Sequence, residues 1–188
     1  MVNQNITGIV LSGGKSSRMQ TDKGFVSYKG KLLVEYALDL LKPLCSEILI
    51  SANRNEYERF GYPIIKDLIY NIGPLGGIYS AIQKSSNDLN IFMACDVVGI
   101  DHVLLQKMVN ASAGKKIVCL QKTDKHIEPF PVLLNKSIQP EIESQIETGD
   151  FKLRNLIQMF LNGNSSQTEC IKIKNPLLNL NTLEDLKL

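Results

Sequence analysis

Four residues that suit anion binding follow the first apolar run of the chain within eleven residues: Gly13, Gly14, Arg18 and Lys23. Consecutive glycines directly after a buried strand allow backbone N–H groups to approach an anion without interference from a Cβ atom. Arg18 and Lys23 add mobile positive charge to the same segment. The pattern therefore predicts a site for a polyphosphate. The alternative is a tight turn from strand to helix in which both cations are solvated.

The spacing of these residues fits neither of two common phosphate-binding loops. A P-loop needs a glycine five positions before Gly14, where Ile9 stands, and Gly8 lies one residue too early. The dinucleotide-binding fingerprint Gly-x-Gly-x-x-Gly needs glycines at positions that hold Lys15 and Arg18. A different kind of phosphate site must explain the segment.

Two aspartates follow later apolar runs. Asp96 closes the run "NIFMACD", and a carboxylate at the end of a buried strand costs desolvation free energy unless it meets a cation. Mg²⁺ is a suitable partner, because it prefers one or two carboxylates together with water and substrate phosphates. Asp67, at the end of "IIKD", lies in a similar place. The alternative for Asp96 is that it caps the helix that follows.

The segment "NIGPLGGIYSAI" combines Pro74 with three glycines, Gly73, Gly76 and Gly77. The proline restricts the chain and the glycines permit close backbone approach, so the start of the following helix could read the edge of a nucleobase or hold a phosphate. The alternative is a helix start that packs tightly on a strand.

Composition limits the class of protein. A chain of 188 residues with 44% apolar content predicts one domain, residues 1–188. The net charge of +2 predicts no extended basic surface and hence no nucleic acid partner. The four cysteines are far apart and predict free thiols in a reducing compartment. The chain shows no signal peptide and no run of membrane-spanning length, so we expect a soluble cytoplasmic protein without a membrane partner.

Short β-branched runs alternate with amphipathic stretches, which predicts a three-layer α/β/α sandwich around a mostly parallel, Rossmann-like sheet. The predicted strands are Ile6–Leu11, Glu47–Ala52, Pro63–Lys66, Asn90–Cys95, Lys116–Leu120, Pro131–Leu134 and Glu169–Ile173. The predicted helices are Leu32–Leu41, Leu75–Lys84, Asp101–Asn110 with Asp101 as its N-cap, Ser137–Thr148, and a short one near Thr182.

Ligands of such sheets bind beyond the carboxyl ends of the strands, where the glycine loop, Asp67 and Asp96 fall. No nucleophilic triad is evident around either histidine, which favours charge neutralisation over covalent catalysis.

The stretch "LSGGKSSRMQTDKG" resembles the L-x-G-G-x-S-x-R-M-x-x-D-K signature of nucleotidyltransferases, most closely that of the molybdenum cofactor guanylyltransferase family. Further segments resemble that family in the same order along almost the whole chain. They are "ILISANR", "IIKD", "GPLGGI", "ACDVV" and "NLNTLEDL".

The resemblance implies transfer of GMP from GTP to the terminal phosphate of the molybdenum-pterin cofactor, with Mg²⁺ and release of pyrophosphate. It also implies roles for individual residues. The backbone of Leu11, Ser12 and Gly13 would contact GTP, as would the Lys23 side chain and Asp67. Asp96 would hold Mg²⁺, and Asn179 and Asn181 would lie on the acceptor side. From the residues themselves, we expect the Gly14 amide to contact phosphate and Arg18 to neutralise charge.

Three departures from the family pattern stand out: Val98 replaces a common proline after Asp96, Ser51 replaces an asparagine, and Leu183 replaces a proline.

Two alternatives to guanylyl transfer stay open. The first is a cytidylyltransferase or sugar-phosphate nucleotidyltransferase of the same fold. The second is a nucleotide-binding module without catalysis, which the altered turn after Asp96 favours. Docking with enzymes that handle or accept the finished cofactor stays open. The segment "QKTDKHIEPF" is either an acceptor-side loop or, by preference, a solvated connection.

Overall fold

The structure is a computed structural model that describes residues 5–12, 22–122, 126–163, 165–173, 177–180 and 184–185. The α-helices are α1 (Leu33–Leu41), α2 (Pro74–Lys84), α3 (His102–Asn110), α4 (Gln139–Glu147) and α5 (Leu153–Gly163). The strands are β1 (Ile6–Leu11), β2 (Ser27–Tyr28), β3 (Lys31–Leu32), β4 (Glu47–Ser51), β5 (Ile64–Ile65), β6 (Leu89–Ala94), β7 (Val97–Val98), β8 (Ile117–Gln121), β9 (Ile127–Asn135), β10 (Thr168–Lys172) and β11 (Leu178–Asn179). Short 3-10 helices include Lys23–Phe25 and Asn55–Phe60.

Seven strands form the central sheet in the order β10-β8-β9-β6-β1-β4-β5. β9 runs antiparallel to both of its neighbours, and every other adjacent pair in this sheet is parallel. All seven predicted strands are present. The carboxyl ends of β1, β4, β5 and β6 therefore lie at the same edge of the sheet.

The two faces of the sheet are covered by different helices. A Cβ atom on Gly8 would contact Leu41 of α1, whereas the side chain of Leu11 lies against Gly77 of α2. Gly8 and Leu11 are three positions apart in β1, and residues separated by an odd number of positions point to opposite faces of a strand. Helices α1 and α2 thus lie on opposite faces, and α2, α4 and α5 pack in series. The predicted three-layer α/β/α fold is confirmed.

The predicted helix boundaries are close to the observed ones. Asp101 caps α3 as predicted, since its Oδ1 atom accepts the Leu104 N–H at 2.7 Å. Glu35 likewise satisfies a backbone N–H group at the N-terminus of α1, since its Oε2 atom accepts the Leu32 N–H at 2.8 Å. The predicted short helix near Thr182 falls outside the residues that the structure describes.

Two features of the fold differ from prediction. Sequence analysis assigns no helix between Gly149 and the strand predicted at Glu169–Ile173. Helix α5 is nevertheless present there and buries Leu153, Leu156, Ile157 and Phe160 at helical spacing. Strand β9 starts four residues earlier than predicted, which makes residues 127–130, the last four of "QKTDKHIEPF", part of the sheet. Its two prolines are tolerated because the pairing with β8 is interrupted between Leu133 and Glu128.

Candidate active site

A cavity of about 310 Å³ opens at the carboxyl edge of the sheet. The chain leaves β1 toward β4 and β5 on one side and later returns to place β6 on the other side of β1. The connections therefore diverge at β1, and such a switch point is where open α/β sheets bind their ligands. The volume lies within the range of small-molecule sites. The lining includes Leu11, Ser12, Lys23, Asp67, Asp96 and Asn179.

The wall of the cavity contains an ion pair between Lys23 and Asp96. The Nζ atom of Lys23 lies 2.6 Å from Oδ2 of Asp96, and both side chains are largely buried, with 25% and 20% exposure. Asp96 does not cap a helix, because β7 follows it and α3 begins only at His102. The pair places one positive and one negative charge at the cavity wall, where phosphate and a metal ion would each find an opposite charge.

A second carboxylate, Asp22, lies next to Lys23 but is occupied by protein donors. Its Oδ1 atom accepts the Tyr57 hydroxyl at 2.5 Å and the Gly24 N–H at 3.1 Å. The Nε atom of Arg54 lies 3.8 Å from its other oxygen. Burial, followed by the hydrogen bond to Asp22, raises the pKa of Tyr57, so that the hydroxyl stays protonated and donates. Asp22 is thus an acceptor that shapes the turn around Lys23.

Asp67 is held by a reciprocal pair of hydrogen bonds with Asn53. The Asn53 amide donates to Oδ2 of Asp67 at 2.9 Å, and the Asp67 N–H donates to Oδ1 of Asn53 at 3.0 Å. This arrangement fixes the orientation of the Asp67 carboxylate at one end of the cavity. Sequence analysis missed Asn53, although it lies in the quoted segment "ILISANR".

The start of α2 forms the wall next to Asp67. Gly73 has φ +62° and ψ −153°, a conformation that essentially only glycine adopts, and Pro74 begins the helix. A Cβ atom on Gly77 would lie 2.5 Å from Oγ of Ser51. The tightly packed helix start is therefore present, and Gly73, Pro74 and Gly77 also line the cavity. A contact of this segment with a base or a phosphate stays a prediction.

The C-terminal segment lines the cavity on the side of β6, whereas Asp67 follows β5 on the other side of β1. Asn179 pairs with Val97 in the antiparallel ladder of β11 and β7, and the Leu180 N–H donates to the Asp96 carbonyl at 2.8 Å. The turn that departs from the family pattern therefore forms a strand that ties residues 178–180 to Asp96. Asn179 lines the same cavity as Asp96, and its predicted acceptor-side role stays a prediction.

At the end of β1, backbone groups that were predicted to contact GTP are used in hydrogen bonds within the sheet. The Ser12 N–H donates to the Ser51 carbonyl at 2.9 Å, and the Leu11 carbonyl accepts the Cys95 N–H at 3.2 Å. These groups extend the sheet and line the cavity, so the Ser12 amide does not bind phosphate in this arrangement. Gly13, Gly14, Arg18 and Asn181 lie outside the residues that the structure describes, and their predicted roles stay predictions.

Side chains that sequence analysis missed also line the cavity or support it. Asp22 lines the cavity, and in the sequence it was noted only as part of "DKG". Tyr57 donates a hydrogen bond to Asp22, and no sequence motif pointed to it. Phe130, at the end of "QKTDKHIEPF", also lines the cavity, and an acceptor-side role for that segment stays a prediction. His126 in the same segment is exposed and lies 3.4 Å from a guanidinium nitrogen of Arg154.

The cavity offers no activated thiol. Cys95 lines it, but burial, followed by the negative charge of Asp96, raises the pKa of Cys95 to about 12. The thiol is therefore neutral near pH 7 and a poor nucleophile. All four cysteines are free, as predicted.

The donor set fits a magnesium ion that is held mainly by its substrate. Among the described residues there is no cluster of three or more His, Cys, Asp or Glu side chains that could hold a metal. Mg²⁺ that binds nucleotide needs only one or two carboxylates, since phosphates and water complete its shell. Asp96 is suited to be that carboxylate, because the oxygens of Asp22 are taken by Tyr57, Gly24 and Arg54.

A mostly parallel sheet, with a charged cavity at its switch point, defines an α/β protein whose ligand site lies at the carboxyl edge of the sheet. The chain belongs to the family of the MobA-like NTP transferase domain, whose model matches residues 8–168.

The chain is similar to named members of this family. It is 35% identical to the molybdenum cofactor guanylyltransferase of Yersinia pseudotuberculosis, over 98% of this chain and 94% of that protein. Its fold is similar to that of molybdopterin-guanine dinucleotide biosynthesis protein A from Archaeoglobus fulgidus, with a TM-score of 0.76, 20% identity, and coverage of 96% and 95%. A nucleotidyl transferase from Methanothermobacter thermautotroptrophicus gives a TM-score of 0.80 at 15% identity, over 97% of this chain and 94% of that one. The two structural similarities show the fold alone.

None of the helices within the described parts of the chain is both long enough and apolar enough to cross a membrane.

Proposed function

We propose that this protein transfers GMP from GTP to the terminal phosphate of the molybdenum-pterin cofactor and releases pyrophosphate. The observation that carries the proposal is the Lys23–Asp96 ion pair inside the cavity at the switch point. The guanylyltransferase relatives support the identity of the substrates.

In this reaction a phosphate oxygen of the pterin attacks the α-phosphorus of GTP. One P–O bond forms to the acceptor, the bond between the α-phosphorus and the bridging oxygen breaks, and pyrophosphate leaves. The attacking phosphate is already anionic, so no general base is required, in agreement with a cavity whose Cys95 thiol is neutral. The main barrier is repulsion between two polyanions.

Charges on this chain would lower that barrier. We propose that Lys23 turns from Asp96 to the phosphates when GTP binds, and that Arg18 adds a second cation. Asp96 would hold Mg²⁺, which neutralises phosphate charge when bound. The glycines Gly13 and Gly14 would supply backbone N–H groups.

The two ends of the cavity would receive different parts of the substrates. At one end, Asp67 is oriented by Asn53 and can accept hydrogen bonds from the N1–H and N2–H groups of guanine. At the other end, Asn179 and, by the family resemblance, Asn181 would face the pterin acceptor. The walls formed by Leu11 and Ser12 would lie against the nucleotide.

Calorimetric titration with GTP, CTP, UTP and ATP in the presence of Mg²⁺ tests the choice of base. We expect GTP to bind most tightly, and Asp67→Asn to reduce the preference for GTP over ATP, because an amide cannot accept both guanine donors. A preference for CTP would instead identify a cytidylyltransferase. Pyrophosphate release from GTP that depends on the pterin acceptor tests the reaction, and its absence with intact GTP binding would indicate a binding module.

We also propose that residues 1–188 form one domain in the cytoplasm. One hydrophobic core includes residues from Ile6 to Leu180. The four free cysteines suit a reducing compartment.

A further inference from the structure

Lys23 lies in a turn whose flanking residues are both held by hydrogen bonds. The turn is the 3-10 helix Lys23–Phe25, and Asp22 directly precedes it. The Asp22 carboxylate accepts the Gly24 N–H at 3.1 Å and thereby closes a loop around Lys23. The position of the lysine backbone consequently depends on the position of the Asp22 side chain.

Tyr57 holds the Asp22 side chain in place through a hydrogen bond. It lies in the 3-10 helix Asn55–Phe60, is completely buried, and donates its hydroxyl to Oδ1 of Asp22 at 2.5 Å. The Ser12 hydroxyl donates to the Tyr57 oxygen at 2.7 Å, which connects the network to the end of β1. The burial that raises the pKa of Tyr57 keeps its proton available for Asp22.

The backbone at Gly24 is packed directly onto this network. A Cβ atom there would lie 2.2 Å from the Tyr57 oxygen and 2.3 Å from Oγ of Ser12, so any larger residue would displace one of these hydroxyl groups. On the far side of the turn, the Phe25 ring lies 4.6 Å from the Tyr57 ring, measured between centroids. Tyr57 thus contacts the turn on both sides of Lys23.

We infer that Tyr57 is a positioning residue that acts through Asp22 to hold Lys23 opposite Asp96. The inference rests on the proposed function for the role of Lys23. Tyr57 itself does not line the cavity, and the described contacts give its hydroxyl no partner other than Asp22 and Ser12. Its hydroxyl therefore serves the geometry of the lysine rather than the chemistry.

The test is Tyr57→Phe, which keeps the aromatic ring and its packing and removes only the hydroxyl. The matched control is Tyr36→Phe, which removes a comparable hydrogen bond, from the Tyr36 hydroxyl to the Tyr28 carbonyl at 2.8 Å, outside the cavity lining. We expect Tyr57→Phe to reduce kcat/KM for pyrophosphate release about tenfold and to weaken Mg·GTP binding, since a hydrogen bond to a charged group is lost. Tyr36→Phe should leave both unchanged at a similar Tm.

A double-mutant cycle separates positioning from general destabilisation. In the Lys23→Ala background, Tyr57→Phe should change kcat/KM less than about twofold, because the group that it positions is already absent. An undiminished tenfold loss in that background would overturn the inference. So would equal Mg·GTP affinity and activity in Tyr57→Phe and Tyr36→Phe.

Failure of the inference differs from failure of the proposed function. If the wild-type protein released no pyrophosphate, the proposed function would fail, while Mg·GTP calorimetry would still test the positioning of Lys23. If Tyr57→Phe were too unstable to purify, Asp22→Ala would break the same link from its other end and leave Tyr57 its hydrogen bond with Ser12. The same weakening of Mg·GTP binding is expected, and unchanged binding would contradict the inference.

Discussion

The ammonium group of Lys23 and the carboxylate of Asp96 form an ion pair at 2.6 Å although 73 positions separate them in the chain. The two residues follow β1 and β6, which are neighbours in the sheet, so their loops emerge side by side. Pairing with Lys23 lowers the cost of keeping the Asp96 carboxylate largely buried. In the proposed reaction, the phosphates of GTP would replace Asp96 as the partner of Lys23, and Mg²⁺ would replace Lys23 as the partner of Asp96.

Lys23→Ala and Asp96→Ala should each reduce GMP transfer by about 10²–10³, because each removes charge stabilisation at the phosphates. The matched control is Lys31→Ala, which breaks the exposed ion pair of Lys31 with Asp39 outside the cavity lining. This control should retain full activity. Pyrophosphate release measures the effect, and a Lys23 variant as active as the control would refute the role of the pair.

Gly77→Ala should weaken GTP binding and destabilise the fold by about 1–3 kcal/mol, since its Cβ atom would meet Oγ of Ser51 at 2.5 Å. Ser51→Ala in the same chain removes that oxygen and should restore much of the stability. Gly163→Ala is the control, because a Cβ atom there meets nothing within 4 Å. Thermal unfolding and GTP calorimetry measure both effects; equal behaviour of the two glycine variants would be inconsistent with the close approach.

Leu180→Ala should destabilise the protein by about 2–5 kcal/mol, because the side chain is fully buried. It should also lower activity, because the buried side chain anchors the backbone whose Leu180 N–H donates to the Asp96 carbonyl. Leu178→Ala, at a side chain with 42% exposure on the same strand, should change stability by less than about 0.5 kcal/mol. Denaturant unfolding distinguishes the two, and similar losses would argue against anchoring of this segment by Leu180.

Cys170 should react first with iodoacetamide at pH 8. A hydrogen bond from the Cys119 thiol, with the sulfurs 3.0 Å apart, lowers the pKa of Cys170 and so increases its thiolate fraction. Burial raises the pKa of Cys45 and Cys95 to about 12, which leaves about one thiolate in 10⁴ at pH 8. Mass spectrometry follows the labelling, and Cys170→Ser should remove the fast phase. Rapid modification of Cys95 in the folded protein would contradict the assignment.

The fold was largely predictable because its signals are local. Strand β1 was predicted to the residue from a short β-branched run, and α3 from an aspartate that caps its first turn. Helix α5 was missed even though its apolar residues recur at helical spacing. β9 was predicted too short, because its two prolines disfavour a strand unless the pairing is interrupted beside them.

The candidate site was predictable in its residue types and not in its contacts. The chain by itself determined which residues follow each strand, and hence that Lys23, Asp67 and Asp96 would lie at the carboxyl edge of the sheet. Tertiary structure alone decided that Lys23 pairs with Asp96, that Asn53 orients Asp67, and that a buried tyrosine supports the turn. The physical reason is that strand order is not encoded in local periodicity: only the assembled sheet, with β1 between β4 and β6, brings these distant residues within hydrogen-bonding distance.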